Sequence, residues 1–144
     1  LKSLAAAGLV EEYPQEASGG HAAKTYQITP AGKEALVEWI SQPVEKESLR
    51  LEILLKTYFS GYAAPDVMLA HLATFEQSHA QQLHILGLFQ EELLRIPDED
   101  ENHGDILRVI DFGLKANRAY LDWCRETRDY FTKKQAHLCE TTKE

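Results

Sequence analysis

Six histidines and two cysteines are the side chains best suited to bind a metal or to act as nucleophiles. His71, His79 and His84 share one helical stretch, but their spacing spreads them around its circumference instead of converging on one point. Glu76-x-x-His79 has the spacing of a carboxylate-bridged di-metal ligand pair. Such a centre also needs a second copy of the motif and further glutamates on facing helices, and the sequence holds no second copy. Cys124 and Cys139 are too few for a disulfide framework and are spaced unlike a zinc pair. They read as reduced thiols, with Cys124 a small hydrophobe in an apolar stripe. The sequence contains no Gly-rich phosphate loop, no G-x-S-x-G elbow and no Cys/His nucleophile pattern. The expectation is a protein that is not an enzyme, with no metal or cofactor site and with solvated histidines.

Any function therefore rests on surfaces, and composition narrows which ones. The 144 residues suit one domain or two small ones, with 44% hydrophobic and 26% charged residues. No apolar run approaches the roughly 20 residues needed to cross a bilayer, and nothing near the start resembles a signal peptide. A cytoplasmic, soluble protein is expected. Fifteen Lys and Arg against 23 Asp and Glu leave a formal charge of −8, which excludes a generally basic nucleic-acid coat and leaves only a locally basic contact surface. The chain opens on Leu1 and its single methionine is Met68, so it reads as the downstream part of a longer protein.

The elements follow from pattern. Leu1, Leu4, Ala5 and Leu9 with Gly8 read as the last turns of a helix closed by a glycine C-cap. Residues 10–13 and 25–29 are short β-branched and aromatic runs separated by Pro14 and Ser18-Gly19-Gly20, which predicts a hairpin with a long loop. Thr29-Pro30 is a capping threonine followed by a proline at the first helical position, opening a helix over 31–41. A second helical stretch is expected over 45–60, with Leu51, Leu54, Leu55, Tyr58 and Phe59 on one apolar face and Gly61 at its end. Pro65-Asp66 opens a long helix to about residue 96. The acidic run from Pro97 to Glu101 is a solvated loop, and a last helix covers 105–135 before a frayed tail.

The last helix is apolar on two sides. Leu107, Ile110, Leu114, Asn117, Leu121, Cys124, Arg128 and Phe131 alternate in steps of three and four, a coiled-coil-like seam. Val109, Phe112, Ala116, Trp123 and Tyr130 lie two residues along, about 200° around the helix. One side can pack on its own subunit, and the other needs a cover that a second copy supplies most simply. The seam residues Leu107, Ile110, Leu114, Asn117, Leu121, Cys124 and Phe131 are taken as the dimer interface. The long helix before it carries Met68, Leu72, Phe75, His79, Leu83, Leu86 and Leu93 along one stripe. His79 and Asn117 are polar breaks in these stripes, of the kind that set register at some cost in stability.

The order Leu1-x-x-Leu4-x-x-x-Gly8-Leu9-Val10, a glycine-containing hairpin and Tyr26-x-Ile28-Thr29-x-x-Gly32-x-x-x-Leu36 resembles the second half of the winged helix-turn-helix of PadR-type transcriptional regulators. Leu49-Arg50-x-Glu52-x-Leu54-Leu55-Lys56-x-x-Phe59 is similar to the start of that family's helical C-terminal domain. Tyr120-Leu121-x-Trp123 is similar to its last, dimerising helix, and the length of the domain resembles the AphA-like branch of virulence regulators. The resemblance implies a mainly α fold: a partial winged helix-turn-helix over 1–43, made of the recognition-helix end and the β-hairpin wing, then a helical dimerisation domain over 44–144. It implies a sequence-specific regulator that binds double-stranded operator DNA as a homodimer, with the first part of the winged helix upstream of Leu1. Residues 1–44 hold three lysines against five glutamates, so this half cannot itself supply a phosphate-neutralising face. Where PadR-like wings often carry arginines, this one offers His21 and Lys24, while Lys2 and Ser3 sit near the end of the recognition helix; these four are the candidate DNA contacts. The resemblance also implies a small aromatic effector near the dimer interface. Trp123 could face that space, although a core position is favoured, since a large apolar side chain among Phe112, Tyr120 and Tyr130 needs no ligand to explain it. Two rival readings stay open: a non-enzymatic helical interaction module and a small helical-bundle metal protein.

Overall fold

A computed structural model describes residues 1–13, 24–46, 48–99 and 101–141. The chain divides into two compact units, Leu1–Leu49 and Arg50–Glu144.

The first unit runs α1 (Lys2–Ala6), β1 (Val10–Tyr13), β2 (Thr25–Ile28) and α2 (Pro30–Ser41). Gly8 takes a left-handed φ of 70°, which ends α1 and turns the chain into β1. The strands pair antiparallel with Val10 opposite Ile28 and Tyr13 opposite Thr25, within a residue of the expected limits. Thr29 caps α2, its hydroxyl accepting from the Gly32 amide at 3.0 Å and donating to the Gly8 carbonyl at 2.8 Å. One side chain thereby ties the end of α1 to the start of α2.

The second unit holds α3 (Glu52–Tyr58), a 3₁₀ turn at Ser60–Tyr62, α4 (Pro65–Leu93) and α5 (His103–Thr141). α3 is much shorter than the expected 45–60 helix. Only Ile53 on it is buried, and Leu54, Leu55, Tyr58 and Phe59 remain exposed. In a seven-residue helix, few positions can face a neighbour at once, so the broad apolar face is not a packed one. α5 runs beyond the expected end at 135, through Thr141, so the supposed frayed tail is helical at least that far.

α4 and α5 form an antiparallel pair, with contacts that run in opposite order along the chain. Glu76 meets Arg128, and His79 meets Asn117. The core lies at the α3 end of this pair, where Ile53, Met68, Leu72, Cys124 and Phe131 are buried together with Trp123, Phe75, Leu51 and Leu69 packed against them. The acidic connection is more than a solvated loop. The Asp98 carboxylate accepts from the Asn102 and His103 amides at 2.9 and 3.2 Å, satisfying otherwise open donors at the start of α5.

The seam expected at a dimer interface is occupied within the chain. Ile110, Leu114, Asn117, Cys124 and Phe131 are buried, and Leu107 and Leu121 are half-buried. α4 covers this stripe because two long helices joined by a short connection bury their broadest matching faces on each other first. The other flank is open only in part: Val109 is 72%, Phe112 75% and Tyr130 59% exposed, whereas Ala116 and Trp123 are half-buried, Trp123 against the core.

Candidate nucleic-acid interface

The sequence places its candidate DNA contacts on α1 and the hairpin. A cleft of about 550 Å³ is lined there by Lys2, Ala5, Gly8, Val10, Glu11, Glu12, Tyr26 and Thr29. α1 contributes Lys2 and Ala5, and the strands contribute the two glutamates and Tyr26. The cleft is open to solvent and electrostatically mixed, with one lysine facing two carboxylates.

Lys2 and Ser3 lie exposed on α1, and His21 lies outside the described residues. Lys24 is exposed just before β2, and its ammonium contacts the Glu12 carboxylate at 2.8 Å. The hydrogen bond and charge of Glu12 hold the Lys24 pKa above its usual value. Lys24 therefore stays cationic, but its charge is already matched. The cross-strand register explains the pairing: Glu12 opposes Tyr26 and Tyr13 opposes Thr25, so a lysine one residue before Thr25 can reach back diagonally to Glu12. Lys24 is a candidate DNA contact from its residue type and place in the wing; its partner Glu12, one strand away, is not evident from the sequence of the loop alone. The signal was available in the hairpin register.

The second unit holds the titratable side chains that spacing singled out, and it uses them structurally. Glu76 pairs with Arg128 across α4 and α5. His79 Nδ1 lies 2.7 Å from the Asn117 side-chain oxygen, while the Asn117 amide nitrogen donates to the Gly113 carbonyl at 2.8 Å. Because the Asn117 amide is thus oriented with its oxygen toward α4, His79 is the donor in this pair. The two polar breaks in the apolar stripes satisfy each other. His79 also sits between Phe75 and Tyr120, with ring centroids at 4.2 and 4.5 Å. His103 lies against Asp98, and His84 is exposed. Glu76 and His79 are thus spent on different partners, and among the described residues no group of three or more His, Cys, Asp or Glu is placed to hold a metal ion. Burial and the Glu76 carboxylate push the Cys124 thiol above its usual range, with Arg128 opposing them, which keeps it a protonated hydrophobe.

Trp123 packs half-buried against the core, edge-on to Phe75 at 6.0 Å between ring centroids. No described helix is long and apolar enough to cross a membrane.

The sequence matches the family described as "Virulence activator alpha C-term" over residues 49–132, and the chain belongs to that family. Its fold is that of PadR-like regulators. A PadR-like transcriptional regulator from Bacillus cereus is 20% identical, with 92% of this chain and 73% of that chain covered and a TM-score of 0.65. The virulence activator AphA of Vibrio cholerae is 17% identical over 92% of this chain and 74% of that chain, with a TM-score of 0.66. Bacillus subtilis PadR, solved in complex with operator DNA, is 20% identical over 90% of this chain and 74% of its own, with a TM-score of 0.60. The same PadR has also been solved with p-coumaric acid. No curated protein matches the sequence significantly.

Proposed function

We propose that the chain is a cytoplasmic, sequence-specific DNA-binding transcriptional regulator acting as a homodimer. The observation that carries this reading is the first unit, in which a helix end, a left-handed glycine, an antiparallel hairpin and a threonine-capped helix follow in winged-helix order. The likeness to PadR solved on operator DNA supports it. In such an arrangement the helix enters the major groove and the wing tracks the phosphate backbone. Lys2 and Ser3 on the helix and His21 in the wing are the contacts this chain offers, with Lys24 a fourth candidate whose charge Glu12 already matches.

The dimer face belongs on the open flank of α5. Val109, Phe112 and Tyr130 present large apolar surfaces to solvent on a helix whose opposite side is already packed. A two-fold dimer through this flank holds two reading heads at a fixed separation, and a shift in its geometry changes how well both heads reach successive grooves. A small aromatic effector beside Trp123 is the finer part of this reading, supported by the PadR structure with p-coumaric acid.

Sedimentation of the wild-type chain is expected to give a dimer at micromolar concentration. Phe112→Glu is expected to give a monomer with unchanged helical circular dichroism. A wild-type monomer would remove the dimer. Titration with a fluorescein-labelled duplex is expected to show affinity that falls steeply with salt. A salt-independent or absent interaction with an intact dimer would return the helical interaction module. Addition of p-coumarate is expected to quench Trp123 fluorescence in a Trp39→Phe background, and no quenching would remove the effector.

A further inference from the structure

We propose that Glu12 is a specificity-determining residue of the wing: by neutralising Lys24 it removes sequence-independent backbone affinity from the hairpin, so that binding depends on what the helix reads. This inference rests on the DNA-binding reading above.

Lys24 is the one cationic side chain among the described residues of the hairpin, and its ammonium is engaged at 2.8 Å by Glu12. Both side chains are exposed, so the contact is weak as a source of stability. Its effect on an approaching polyanion is a different matter. A lysine adds to duplex affinity by neutralising a phosphate and releasing a condensed counterion. A lysine already matched by a carboxylate brings no net charge to that phosphate. If the phosphate displaces Glu12, the freed carboxylate stays within a few ångströms of it and repels it. Glu11 and Glu12 also both line the cleft beside Lys2, so among the residues lining that cleft the cation open to the released carboxylate is Lys2, a candidate DNA contact itself.

Backbone affinity is the part of binding shared by every competing genomic site, whereas base contacts belong to the operator. A wing with its lysine cancelled lowers the shared part and leaves the discriminating part intact. The strongly acidic chain, at −8, has the same bias. The Glu12 contact differs in being local, directional and removable by one substitution.

Binding of a fluorescein-labelled duplex of random sequence tests this, measured by anisotropy between roughly 50 and 200 mM salt for wild type, Glu12→Gln, Glu11→Gln and Glu12→Gln/Lys24→Gln. Glu12→Gln is expected to bind more tightly and to lose about 3.5-fold more affinity than wild type across that range, the signature of one added phosphate contact at a slope of about 0.9 per phosphate. The double variant is expected to lose the gain, and Glu11→Gln, which removes the same charge next door, to show a smaller change in slope. Equal slopes for wild type and Glu12→Gln overturn the inference while leaving DNA binding standing. An equal gain in Glu11→Gln also overturns it, because the effect is then general charge. If neither wild type nor Glu12→Gln binds at the lowest salt, the hairpin has no backbone affinity for Glu12 to suppress and the inference is overturned, while operator binding is judged by its own titration.

Discussion

The two units are built by different means. Among the described residues of Leu1–Leu49, only Gly32 is buried, and it has no side chain to pack. In Arg50–Glu144, by contrast, Ile53, Met68, Leu72, Ile110, Leu114, Asn117, Cys124 and Phe131 are buried. The first unit is held by backbone approach and capping, the second by side-chain volume. The contrast teaches where each can be broken: the small unit at positions that set backbone geometry, the large one at positions that fill space.

The sharpest test of the second half is Phe131→Ala. Phe131 is 1% exposed and belongs to the core cluster with Leu72 and Cys124. Removing the ring is expected to cost about 3–5 kcal/mol in urea unfolding, from lost burial and the cavity left behind. Phe112→Ala removes the same ring from the same helix, 75% exposed. Under conditions where the chain is monomeric it should cost under about 0.5 kcal/mol. Similar losses for both would mean that the two flanks of α5 are not distinct.

For the first unit the matching test is Gly32→Ala. A methyl group there would meet the Leu9 carbonyl oxygen at 2.0 Å, and that oxygen accepts the Thr29 amide at 3.1 Å. Backbone must move, so the substitution is expected to destabilise the unit by roughly 2–3 kcal/mol. Faster amide exchange at Thr29 and Gly32 would read it, with the α4–α5 amides unchanged. Protection unaltered at Thr29 would show that the close approach is not a constraint.

Legibility divided along the same line. Hairpin limits, the Gly8 cap and the Thr29-Pro30 helix start were readable because turn and cap residues act locally, through their own φ and their own hydrogen bonds. The Gly32 contact was not readable: it depends on Leu9, far away in sequence. In the second unit the two-sided character of α5 was plain from its period, but which side faces its own chain was not. Periodicity reports that a face is apolar and carries no label for its partner. The same gap separated His79 from Asn117. Each was visible as a polar break, and only the antiparallel register of α4 and α5 brings them together.

That pair refines the contrast, since it is a hydrogen bond inside the unit otherwise held by packing. Asn117→Ala leaves the His79 donor without its acceptor and is expected to cost about 1–3 kcal/mol. The double variant His79→Leu/Asn117→Leu removes donor and acceptor together and should recover much of that loss, because apolar groups of similar size suit the surrounding stripes. If the double variant is as unstable as the sum of the single losses, the pair contributes by geometry and not by mutual satisfaction.

The smallest effect belongs to Thr29, where capping alone is at stake. Its hydroxyl both accepts from the Gly32 amide and donates to the Gly8 carbonyl. Thr29→Ala removes both contacts and is expected to cost about 1 kcal/mol, within the range for a lost N-cap. Thr29→Ser keeps the hydroxyl and should restore most of it, whereas Thr29→Val keeps the shape and should not. The readout is local exchange at Gly32 and Lys33, since both Thr29 contacts lie within the first unit. If Val restores the stability and Ser does not, the threonine acts through its methyl group, and the first unit would then depend on side-chain packing after all.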